Sequence, residues 1–65
     1  MLVKFIEKTQ VGIMQIESEL EGIYNISCIP RVGELIYIQH LKMQAKVMSV
    51  IHIIDDNLVH ITIKR

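Results

Sequence analysis

Sixty-five residues with a single cysteine, and seven Lys+Arg balanced by seven Asp+Glu for a formal net charge of zero, describe one small domain. That size leaves no room for a second core, and one cysteine excludes an internal disulfide framework. Hydrophobic residues make up 51% of the chain, more than a monomer this small hides, so self-association is expected to cover some of them.

Ile and Val dominate the apolar set, which tilts the chain toward strands. Leu2–Glu7 reads as a first strand, and Lys4, Glu7 and Lys8 end its apolar run far short of a bilayer span. Thr9-Gln10 is the expected turn. Val11–Glu17 follows as a second strand, with Val11 and Ile13 on one face, Met14 and Ile16 on the other, and Gly12 marking a bulge. Ser18–Gly22 reads as a loop or one helical turn capped by Ser18 and stopped by Gly22. Ile23–Ile29 resumes a strand-like run containing Cys28, which reads as a small core residue in a reducing compartment.

Pro30-Arg31-Val32-Gly33-Glu34 is the clearest punctuation. Proline fixes its backbone and lacks a donor, glycine admits a tight turn, and Arg31 and Glu34 place charge at the turn's ends. Leu35–His40 is the next strand, with Ile36 and Ile38 on one face. Leu41–Met43 reads as a turn and Gln44–Ile54 as one long bent strand, although Leu41, Ala45 and Met48 also fall at helical spacing. The three-residue turn Asp55-Asp56-Asn57 then leads into Leu58–Lys64. There Val59, Ile61 and Ile63 point inward, and Leu58, His60, Thr62 and Lys64 point outward. Pairing Ile54 with Leu58 sets His52 against His60 and Val50 against Thr62 on one surface.

Two family resemblances start from the Pro30–Glu34 stretch. Arg31-Val32-Gly33-Glu34 resembles the opening of the carbon storage regulator family, small RNA-binding dimers of interleaved strands. Of that family's contacts only Arg31 carries over, because the motif lies mid-chain here and the second basic segment has no counterpart. The whole Pro-Arg-x-Gly-Glu turn, followed by a three-strand meander, resembles small SH3-like barrels of bacteria and phages. That resemblance implies a fold and no activity. The expected architecture is therefore all-β, a small five- to six-stranded antiparallel SH3-like barrel over residues 1–65.

The residues offer little chemistry. There is no phosphate-cradling glycine loop, no nucleophile with a base at recognisable spacing and no inward carboxylate pair, so the chain is expected not to be an enzyme and to need no cofactor. A zinc site needs four ligands, or three plus water; His52 and His60 would need His40 from another strand, or Asp55 or Asp56 folded back from the turn, so metal binding is not the expected role. Glu17, Glu19 and Glu21 read as a solvated acidic patch.

The expected function is a self-associating cytoplasmic binding module that occludes a partner protein, in the manner of bacterial adaptors and phage-encoded inhibitors. Its contact face is expected to comprise Met48, Val50, His52, Leu58, His60 and Thr62. An alternative is a nucleic-acid-binding regulator using Arg31, Tyr37, Lys42, Lys46, Lys64 and Arg65. A third is an oligomer that sequesters a small ligand or metal between its subunits. No membrane association is expected.

Overall fold

A computed structural model describes all 65 residues. Six strands form a single sheet: β1 (Leu2–Val11), β2 (Met14–Glu19), β3 (Tyr24–Asn25), β4 (Leu35–Ile38), β5 (Met43–Ile53) and β6 (Leu58–Lys64). Their spatial order is β2-β1-β6-β5-β4, with β3 pairing β1. No helix is long and apolar enough to cross a membrane.

The all-β expectation holds, but the sheet is open and mixed where a closed antiparallel barrel was expected. Strand β1 runs parallel to β6 from Leu2↔Leu58 to Glu7↔Ile63, and β4 ends the sheet without pairing back to β2 or β3. Closure fails because the strands that would make it are too short, two residues in β3 and four in β4. The irregular segment between them covers the open side instead, packing Ile26 and Ile29 on the core.

That core is nine apolar residues: Val3, Phe5, Ile38, Met43, Ala45, Val47, Val59, Ile61 and Ile63. Every second residue of β6 and of the first half of β5 contributes to it, as strand alternation requires. Ile38 is buried and Ile36 half-buried, while Leu35 and Tyr37 stay exposed, so β4 follows its expected alternation. No polar or charged residue is buried.

Strand β5 spans nearly the expected range and bends at a bulge, where the register shifts between Val47 and Ser49. Met48 is the extra residue. Tight turns of 3-10 type join β4 to β5 and β5 to β6, each ended by a left-handed residue, Lys42 (φ 51°) and Asn57 (φ 51°). The Pro30–Glu34 turn also forms as expected, with Gly33 at φ 93°. The Glu34 carboxylate accepts a hydrogen bond from the Arg31 backbone N–H at 2.5 Å, so its partner is main chain rather than the Arg31 guanidinium. The turn is stitched to β5 by Gly33 N–H donating to Val47 O and Val47 N–H donating to Glu34 O.

The amino-terminal half departs further from expectation. Thr9 and Gln10 lie within β1, which pairs with β2 down to Val11↔Met14 across the two-residue turn Gly12-Ile13. Gly12 has φ +62° and Ile13 is not left-handed, the pattern of a type II′ hairpin turn rather than a bulge. Ser18–Gly22 contains no helical turn: β2 runs on to Glu19, and Gly22 bends the chain at φ 94°. Only Tyr24 and Asn25 of the Ile23–Ile29 run pair as a strand.

Candidate functional site

The terminal hairpin has a four-residue loop, Ile54 to Asn57, one residue longer than expected. Ile54 enters the 3-10 turn, and the Asn57 N–H closes the loop by donating to Ile54 O at 3.3 Å. The register becomes Ile53↔Leu58, His52↔Val59, Ile51↔His60 and Ser49↔Thr62. A one-residue change sends side chains to the other face. His60 therefore lies outward beside Ile51, whereas His52 shares the inward face of Val59 and stays exposed beyond the covered core.

The six residues expected to form one contact face are thus divided. Leu58, His60 and Thr62 point outward, Val50 and His52 inward, and Met48 occupies the bulge. No three His, Cys, Asp or Glu side chains gather where they could hold a metal ion. Cys28, expected in the core, is an exposed free thiol because its segment is irregular and only Ile26 and Ile29 turn inward.

The basic candidates come together in part. Lys46 lies directly opposite Lys64. Both share the outward face with Leu35 and Tyr37, and Lys46, Lys64 and Arg65 line a shallow cleft. Lys42 sits apart in the β4–β5 turn and Arg31 in the Pro30–Glu34 turn. Arg65 is already engaged: its Nε donates to Glu7 Oε2 at 2.6 Å and its Nη2 to Glu7 Oε1 at 3.0 Å. That hydrogen bond, helped by the guanidinium charge and opposed by partial burial, holds the Glu7 carboxyl below its ordinary value.

Two features emerge that the sequence reading did not identify. A groove of about 510 Å³ opens on the core side of the sheet, between it and the irregular covering segment, among Phe5, Tyr24, Ile26, Cys28, Ile38 and His40. The Tyr24 ring stands edge-on to Phe5 at 5.4 Å, and its buried hydroxyl has no hydrogen-bond partner.

The second is the β1–β2 arm. Strand β6 flanks β1 only as far as Glu7, and beyond that β1 and β2 continue as a hairpin with no further neighbour. Thr9, Val11, Met14 and Ile16 lie on its core-side face, because Thr9 pairs Ile16 and Val11 pairs Met14 in line with Val3 and Phe5. Val11 is 57% exposed, Met14 63%, Ile16 43% and the tip residue Ile13 fully. The opposite face is polar, with Lys8 against Glu17 and Gln10 against Gln15. The signal that could have located this arm was Gly12 followed by one residue between two alternating runs, the signature of a two-residue hairpin.

Compared with family models, curated proteins and solved structures, the chain matches none of them.

Proposed function

We propose that this protein is a non-enzymatic binding module that self-associates and occludes a partner protein, with the core-side face of the β1–β2 arm as its contact surface. The observation that carries this reading is the exposure of Val11, Met14 and Ile16 on one side of a hairpin whose other side is polar, with Ile13 fully exposed at its tip. A clustered apolar patch rimmed by polar residues is the usual mark of a protein contact. Zero net charge favours contact between copies, since neither copy repels the other at long range.

The nucleic-acid reading draws support only from Lys46 and Lys64 facing each other on the sheet face that also carries Tyr37. Arg65 is occupied by Glu7, and Lys8 is balanced by Glu17 across the arm.

Sedimentation of the wild type from low to high micromolar concentration, at low and at high salt, tests the proposal. The expected result is concentration-dependent assembly that persists at high salt and is lost in the triple variant Val11→Ser, Met14→Ser, Ile16→Ser. A wild type that stays monomeric throughout would overturn self-association. Binding of a labelled single-stranded RNA that collapses as salt rises would move the function to nucleic acid.

A further inference from the structure

We infer that the arm meets a second copy of this chain through the open edge of β2, as an antiparallel β2–β2 pair about a two-fold axis at Ile16 that extends the apolar core-side face across both copies. The inference rests on the binding-module reading and specifies how the contact is built.

Strand β2 is hydrogen-bonded on one side only, to β1. Leu20 N–H donates to Phe5 O, just beyond the end of the ladder. In an antiparallel ladder the residues that bond to a given neighbour alternate. Leu20, Ser18, Ile16 and Met14 therefore turn their backbone groups toward β1. Gln15, Glu17 and Glu19 turn theirs to the open edge, which presents N–H and C=O groups free to pair.

The two ends of the sheet differ in how they protect such groups. Strand β4 is four residues long, and brevity is one of the ways an edge avoids pairing. Strand β2 has six residues and carries no proline, lysine or bulge. Glu17 and Glu19 are its only guard, on an edge that lies beside an unpartnered apolar face.

Symmetry and charge then choose the register. A two-fold contact of one edge with itself is antiparallel. Because only odd-numbered residues face outward, each must pair with another odd-numbered residue. An axis at Glu17 would set two carboxylates directly opposite each other, which is destabilising. An axis at Gln15 would pair only residues 14–16 within the strand, leaving Gln15 with its own copy as the one hydrogen-bonded pair there, whereas an axis at Ile16 pairs Met14 through Ser18. An axis at Ile16 places Gln15 opposite Glu17 twice and lets the two Ile16 side chains meet at the close, non-hydrogen-bonded site. Met14 and Ile16 of both copies then lie on one face, and the apolar stripe begun by Val11 continues across the axis.

Two measurements test this. Gln15→Pro removes an outward N–H while leaving the β1–β2 ladder whole. It is expected to weaken self-association about ten- to hundredfold, for the two inter-chain hydrogen bonds lost, without changing the circular dichroism spectrum. In a Cys28→Ser chain, Ile16→Cys is expected to form a disulfide-linked dimer on mild oxidation, because residues opposite each other at such a site lie within disulfide reach. Gln15→Cys and Glu17→Cys are expected not to. Cross-linking through position 15 or 17 in place of 16 would overturn the axis. Assembly that survives Gln15→Pro but is lost in the triple serine variant would overturn edge pairing while leaving the binding-module reading intact. A wild type that never assembles would overturn both.

Discussion

The two halves of β1 make the most instructive contrast in the molecule. Val3 and Phe5 in the first half and Thr9 and Val11 in the second lie on the same face of one continuous strand, yet the first pair is buried and the second exposed. Side-chain type does not separate them, since Val3 and Val11 are the same residue. The difference is the neighbour. Strand β6 runs beside Leu2–Glu7 and brings Val59, Ile61 and Ile63 onto the covered face, then ends at Lys64. Past that point β1 has β2 on one side and nothing on the other. Burial here depends on how far the flanking strand reaches, and the same alternating pattern yields core in one half and exposed apolar surface in the other.

The largest expected effect lies on the buried side of this contrast. Phe5→Ala removes a ring packed among the core residues and against Tyr24, which costs about 3–5 kcal/mol. In a domain of this size that is comparable to the whole stability, so the variant is expected to be largely unfolded in the absence of denaturant, as circular dichroism and urea titration would report. A cooperative, near-wild-type transition would mean that the core does not depend on β1.

On the other half of the strand, Val11→Ser should change the stability of the monomer by less than about 0.5 kcal/mol. Measured by urea unfolding at a concentration too low for assembly, a loss near the Phe5→Ala value would show that the arm is covered within one chain. The smallest effect sits at the boundary between the halves, where Arg65 holds Glu7. The Glu7 carboxyl is held below its ordinary 4.5, so its contribution to stability is complete above that value and is lost as pH falls through the lowered folded value. Wild type is therefore expected to lose stability below pH 4.5 more steeply than Glu7→Gln, with the two curves converging in strong acid. Parallel acid profiles would remove the ion pair from the account.

Much of the carboxy-terminal half was legible because its signals are local. Val59, Ile61 and Ile63 alternate with polar or less buried neighbours, Pro30 and Gly33 frame a turn, and β5 follows its β-branched run despite the competing helical spacing. The register of the terminal hairpin turns on a single residue. Ile53 and Ile54 are identical in type, and either could end the strand. The structure gives Ile54 to the turn, which places Asn57 in the left-handed region and parts His52 from His60. In the amino-terminal half Gly12 was legible as a special backbone position, but its role as a hairpin corner became clear only once β1 and β2 were seen to pair around it.

By itself the sequence determined that this is a small all-β chain with more apolar surface than it can bury, because composition, alternation and turn residues act over a few neighbouring positions. Only the tertiary structure decided that β1 lies parallel to β6, that the sheet stays open, and that the arm extends beyond its flank. Those outcomes depend on pairings between opposite ends of the chain. A shift of one residue in such a pairing turns an alternating strand over, and a flanking strand that stops at Lys64 leaves the next Val exposed.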